Sequence, residues 1–208
     1  MTLRIAAIAS LVLGVTILLL YLTVVGKTPW AGFAAMHLRE MKERTAAPAA
    51  VEPITFAMMT ALPRGARVSE YSTLERRGVS LEGYVQRMLR APDGDFHLDF
   101  AESVGVNHHL VPFLSAEITP QWHEGSKTWR FERLMALFRP FWGGPTWWDA
   151  PPRRVRLSGW LMYDYPFEGE GEKPTIGFPP HVTLWEIHPV TRIEAWDDSL
   201  SRFVEFAR

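Results

Sequence analysis

The chain has 208 residues, with 22 Lys and Arg against 23 Asp and Glu and a formal net charge of −1. That length suits one packed domain with a tail, and the charge balance gives no overall field that would draw in DNA or RNA. Cysteine is absent, which excludes disulfides, thiolate metal sites and cysteine nucleophiles.

Residues 5–25, "IAAIASLVLGVTILLLYLTVV", carry no charge and are almost wholly apolar. As a helix the stretch rises roughly 31 Å, close to the thickness of a bilayer core. A cleaved signal peptide would have a shorter apolar region and a small-x-small site, and "YLTVVGKTPW" offers none that is convincing. A single transmembrane helix within residues 1–27 is therefore expected. Only Arg4 precedes the span, whereas Lys27, Arg39, Lys42 and Arg44 follow it. A literal count of positive residues favours a cytoplasmic C-terminal side.

Residues 28–50 come next. Thr28 and Pro29 suit a helix start, and Trp30, Phe33, Ala34, His37, Leu38 and Met41 recur at helical spacing. With Arg39 and Lys42 on the other side, this helix can lie in the headgroup layer or continue the span to pack on the folded domain. Tyr21, Trp30, Phe33, Arg39 and Lys42 are the expected contacts with the lipid interface. "TAAPAAVEP" reads as an Ala/Pro linker, so the domain is expected over 51–208.

From residue 78 the period becomes two. "GVSLEGYVQRML" is a strand with an internal Gly83, "APDG" a turn, and "DFHLDFAE" a second strand. "LVPFLSAEIT" is a third strand, and "TWRFERLMALF" switches to helical spacing. "RRVRLSGWLMYD" is a fourth strand, and "TLWEIHPVTRIEAW" a fifth in which Pro189 marks an edge or bulge. "DDSLSRFVEFAR" is predicted to close the chain as an amphipathic helix burying Leu200, Phe203, Val204 and Ala207. Three strands, a helix and two strands is the order of an OB-fold, so the fold class is mainly β: a transmembrane helix, then a small OB-like five-stranded barrel with one inserted helix and a C-terminal helix.

"RRGVSLEGYVQRMLRAPDGDFHLDFAE", "VRLSGWLMYD" and "LWEIHPVTRIE" resemble a poorly characterised group of bacterial OB-fold proteins, mostly exported or membrane-attached. These carry G-D-x-H-L, G-W-L-M-x-D and W-E-I-H-P-V-T elements, and the resemblance covers about residues 70–196. It implies the barrel and an exported, periplasmic domain, and brings no established activity. By position it points to Asp95, His97, Asp164, Glu186 and His188. A histidine that the group places about three residues after the G-W-L-M-x-D strand is absent here, where Phe167 and an acidic glycine loop follow Asp164.

Asp95, His97 and Asp99 alternate on one face of their strand, and Glu186 and His188 share a face of theirs. If the strands approach, Asp95, His97, Glu186 and His188 could hold a divalent ion. The alternative is the ordinary outward polar face of a half-buried sheet, with His188 tying down a loop. "RPFWGGPTWWDAPPRR" holds Phe141, Trp142, Trp147 and Trp148 among glycines and prolines. These, with Phe167, can dock on a partner or fold back as a lid. Base stacking would need a basic groove, and only Arg139, Arg153 and Arg154 lie nearby. "EGEGEK" lacks the pattern of a calcium loop. No phosphate loop, dinucleotide fingerprint, nucleophile elbow or zinc-protease helix is present, so neither an enzyme, nor a cofactor, nor a small-molecule substrate is indicated.

Two functions compete on this reading. The first is a non-catalytic, membrane-anchored accessory subunit that contacts lipid and other membrane subunits, for example in a photosynthetic reaction-centre and antenna assembly. The second is a metal-dependent or nucleic-acid-handling OB protein of the envelope.

Overall fold

The computed structural model describes residues 29–65, 67–142, 148, 150–167 and 179–208. The expected span over 5–25 lies outside the described residues, as do Tyr21 and Trp147. Among the described residues no helix is long and apolar enough to cross a membrane. The chain divides into two units, Met1–Arg39 and Glu40–Arg208. Helix α1 (Pro29–Lys42) carries Trp30, Phe33, Arg39 and Lys42.

The second unit contains a closed barrel. After the short β1 (Glu52–Pro53), α2 (Phe56–Thr60) and α3 (Val68–Tyr71) come the five barrel strands. These are β2 (Gly78–Arg90), β3 (Phe96–Ala101), β4 (Leu114–Ile118), β5 (Arg154–Tyr163) and β6 (Trp185–Asp197). β2 pairs with β3, β3 with β4, β4 with β6 in parallel, β6 with β5, and β5 with β2 to close the ring. The helices α4 (Pro120–His123) and α5 (Phe131–Phe138) lie between β4 and β5. Insertion of a helix after the third barrel strand is the OB arrangement expected from the element order.

Closing a sheet over so few strands requires sharp coiling, and two residues allow it. Gly83 lies where β2 turns from β5 to β3, and a Cβ there would stand 2.5 Å from the Ala101 carbonyl oxygen. Gly159 sits at a bulge opposite β6, where a Cβ would meet the Pro189 oxygen at 2.2 Å. The predicted irregularity at Pro189 is thus a bulge inside a barrel strand. A second bulge falls at Gln86, whose buried amide bonds both backbone groups of Val111 while its own carbonyl receives Phe141 N.

The barrel interior holds Val79, Leu81, Val85, Met88, Leu98, Phe100, Leu114, Ile118, Leu157, Leu161, Ile187, Val190 and Ile193, all essentially without solvent contact. Burial of this apolar set is the main favourable term for the domain. The tryptophans serve a different end. The indole N–H groups of Trp122, Trp160, Trp185 and Trp129 donate to the carbonyls of Arg44, Ala46, Pro63 and Phe206. Each pairs a large apolar body with one donor, and each fixes a non-strand segment to the barrel.

One expectation needs correction. The terminal segment is not a helix: Asp197 Oδ1 accepts from Ser199 N and Leu200 N at 2.9 and 3.0 Å, making a turn, and β7 (Arg202–Glu205) then pairs back on β6. A helix-capping aspartate and a turn aspartate offer the same bond, so residue type alone does not choose. Leu200 and Val204 consequently remain exposed, while Phe203 packs against Trp196. Residues from Glu40 onward group with the barrel. The Ala/Pro segment is not a free linker: Trp160 holds Ala46, and Gly78 packs against Pro48 and Ala50 so closely that no Cβ would fit.

Candidate metal centre

Phe96, Leu98 and Phe100 of β3 face the core, so Asp95, His97 and Asp99 face the opposite side of the barrel wall. On β4 the same alternation sends Ala116 inward and Glu117 outward, and β3–β4 register sets His97 directly across from Glu117. β6 runs parallel to β4 with Ile187 beside Ala116, which brings Glu186 and His188 to the same outer face as Glu117. Asp164 follows β5, held by its backbone N–H to Leu184 O at 3.0 Å. All the strand residues predicted for the site therefore converge on one patch.

That patch is not the solvated face of a half-buried sheet. His188 and Asp99 have no exposure, and Asp95, Glu117, Glu186 and Asp164 are all buried. His188 Nδ1 lies 3.1 Å from Glu117 Oε2 and 3.5 Å from Glu186 Oε2, and Nε2 lies 3.6 Å from Asp95 Oδ2. None of these approaches has hydrogen-bond geometry, so among the described residues both ring nitrogens, Glu117 Oε2 and Glu186 Oε2 are buried without a hydrogen-bond partner. Groups in that condition normally cost free energy. His188 does not tie down a loop.

Behind Glu117 runs an ordered chain. His97 Nδ1 is 2.8 Å from Glu117 Oε1, and its Nε2 is 3.2 Å from Asp99 Oδ1. Asp99 Oδ2 in turn pairs with Arg87 Nε at 2.6 Å. His181 closes one side, its Nε2 3.4 Å from Ser115 Oγ and its ring parallel to that of His97 with centroids 6.5 Å apart. Lys42 closes another: its ammonium stands 3.9 Å from Glu117 Oε2 and 3.8 Å from Asp93 Oδ2. The Lys42 ammonium is thus turned to the acidic cluster.

Titration follows from this crowding. Burial pushes the Asp95 carboxyl up to about 7, with Glu117 beside it adding to the effect. Burial and the neighbouring Glu186 do the same for Asp164, also to about 7. Burial works against charge on His97 and His188. Asp99 and Glu117 outweigh it at His97, raised to about 10, and Glu117 and Glu186 outweigh it at His188, raised to about 9. Burial opposes ionisation of Glu117, yet the two imidazoles hold it well below the usual carboxylate range. Lys42 is held above its ordinary value because Glu117, Glu186, Asp164 and Asp93 together outweigh its burial.

Asp95, Glu117 and His188 can each offer one donor atom, and the three atoms lie within 4.8 Å of one another. A cation with bonds of about 2.0–2.2 Å wants donors on the order of 3–4 Å apart, so small side-chain movements would close the site. The His188 nitrogens and Glu117 Oε2, none of them hydrogen-bonded to a described residue, are what such an ion would use. Two carboxylates with one imidazole, and Glu186 Oε2 adjacent, suit Mn²⁺, Fe²⁺ or Zn²⁺ better than Ca²⁺, which takes six to eight oxygens. The His97–Asp99–Arg87 chain is the kind of outer support that orients a ligating carboxylate.

Glu117 and His181 are the residues that strand alternation in single segments did not single out. Glu117 was legible as the one acid within the apolar run "LSAEI", opposite in phase to Leu114, Ala116 and Ile118. His181 had no local signal. The aromatic loop divides: Trp148 packs against the core, Phe141 meets the His108 ring edge at 4.9 Å, and Trp142 remains 48% exposed. Phe167 ends a 3-10 turn with Tyr165 just after Asp164. No protein-family model and no curated protein matches the sequence.

Proposed function

We propose that this chain is a divalent-cation-binding OB-barrel protein of the bacterial envelope, held at the inner membrane by residues 5–25. The observation that carries the reading is His188: a wholly buried imidazole with neither nitrogen hydrogen-bonded to any described residue, set between the carboxylates of Asp95 and Glu117. Asp95, Glu117 and His188 would hold the ion, with Glu186 beside them. Bound there, the ion supplies positive charge to a buried excess of carboxylate and ties β3, β4 and β6 together. His97 keeps one oxygen of Glu117 occupied and so aims the other at the site. The uncharged length of residues 5–25, followed by Trp30, supports attachment to lipid.

The test is a calorimetric titration of MnCl₂ and ZnCl₂ into the full chain in detergent after EDTA treatment. Saturable binding of one equivalent is expected, weakened in His188→Ala. Absence of saturable binding to the folded protein would overturn the reading.

The exposed Trp142 favours a second role that the same chain can combine with the first. Exposed tryptophan is an anchor type at interfaces, and it supports a non-catalytic accessory subunit docked on other membrane proteins, such as those of an energy-transducing assembly. Mild-detergent purification of the tagged native protein tests it. Stoichiometric membrane partners are the expected result, and recovery as a lone monomer would count against it.

A further inference from the structure

The acidic cluster already faces one cation, and that cation is part of the chain. Lys42 ends α1, and its ammonium approaches Glu117 Oε2 and Asp93 Oδ2. Glu117 Oε2 is also the oxygen nearest His188 Nδ1, hence the one a bound ion would take. The field of the lysine reaches Glu186 and Asp164 as well.

A separate set of contacts fixes the main chain immediately after Lys42. The Arg44 guanidinium donates to Glu75 O at 2.9 Å and Leu161 O at 3.4 Å, and lies 4.6 Å above the Trp160 ring. Trp122 donates to Arg44 O at 3.0 Å. This clamp does not depend on where the Lys42 side chain points. With 30% of that side chain exposed, its flexible stem can carry the ammonium out to water while the clamp stays closed.

We propose that Lys42 is a tethered counter-ion, seated on Glu117 when no divalent ion is bound and expelled when one binds. The proposal rests on the divalent-cation reading above. An ammonium and a dication cannot both sit against one carboxylate oxygen in a buried site without strong mutual repulsion. Because Lys42 is attached to the same chain, its effective concentration at the site is on the order of millimolar or higher. A free ion must therefore exceed a threshold before it takes the site. Occupancy then sets whether the Lys42 side chain is held on the acidic cluster, which makes the cluster an ion-operated latch.

The experiment uses the full chain in detergent, stripped with EDTA and titrated with MnCl₂, as wild type, Lys42→Gln and Lys42→Arg. The Gln variant is expected to bind Mn²⁺ about tenfold tighter or more, and the Arg variant to stay near wild type. In parallel, brief acetic anhydride labelling of wild type is read by mass spectrometry. Labelling of Lys42 should rise several-fold with saturating Mn²⁺ while that of the exposed Lys127 stays constant. Equal Mn²⁺ affinity in all three proteins with unchanged Lys42 labelling would overturn the latch and leave the cation site standing. No Mn²⁺ binding by any of the three, with native circular dichroism, would overturn the site and the latch with it.

Discussion

On the outer face of β2, β5 and β6, Glu82 sits between Arg154 and Arg156 at 2.5 and 2.7 Å, and Arg192 joins Glu194 to Glu205 at 3.3 and 3.0 Å. Around His188, on β3, β4 and β6, the carboxylates of Asp95, Asp99, Glu117, Asp164 and Glu186 are buried, and the cationic groups against them among the described residues are Lys42, Arg87 and the imidazoles. Both groups arise from the same device, a charged residue at every second position of a strand. In the first, each acid faces a guanidinium and Glu82 and Glu205 stay open to solvent, where such pairs contribute little. In the second, desolvation is nearly complete and donors are left over, a state that a bound cation relieves. The contrast teaches that the count of charges says less than whether each buried one is paired.

The sharpest way to break this comparison is Glu117→Gln. Loss of the central carboxylate charge should lower Mn²⁺ affinity about a hundredfold or more, roughly 2.7 kcal/mol, by calorimetry. Retained wild-type affinity would mean that the cluster is not the site. The cation itself should stabilise the barrel next most strongly. At about a hundred times its dissociation constant the gain is about 2.7 kcal/mol, seen as a rise in Tm of roughly 5–10 °C that EDTA reverses. A Tm indifferent to both additions would leave the buried acids without a ligand.

A pH dependence of stability is also expected in the absence of a divalent ion. His97 and His188 titrate near 10 and 9 in the folded chain against an ordinary 6.5. The stability they contribute is complete below pH 6.5 and is lost as pH rises through 9 and 10. Asp95 and Asp164, raised from 3.8 to about 7, act in the same direction between those values. Glu117, depressed below 4.5, opposes them only at acid pH. Urea midpoints should therefore fall from pH 5 to pH 10, and saturating Mn²⁺ should flatten the decline; midpoints that climb over that range would contradict the assignment. The smallest effect belongs to the surface ladder. Glu82→Gln should change stability by less than about 1 kcal/mol and leave Mn²⁺ affinity unmoved, and a loss of Mn²⁺ binding there would erase the distinction between the two regions.

Much of the architecture was readable from periodicity alone. The period-two runs from residue 78, the helical spacing of Phe131, Leu134, Met135 and Phe138, and the glycines at 83 and 159 specify five coiled strands with a helix after the third. These are local patterns, set by which face of each segment must leave water. The terminal segment escaped because Asp197 serves a turn as well as a helix cap, and only the free edge of β6 decides between them. The site divides in the same way. Alternation places Asp95, His97 and Asp99 on one face and Glu186 and His188 on another, and no local rule says whether those faces are wet or dry. That was decided by the parallel pairing of β4 with β6, which sets Glu117 beside His188, and by the return of Lys42 and His181 from distant parts of the chain. Burial and pairing are sums over neighbours remote in sequence, so the residue types of the site were legible while its chemistry waited for the tertiary structure.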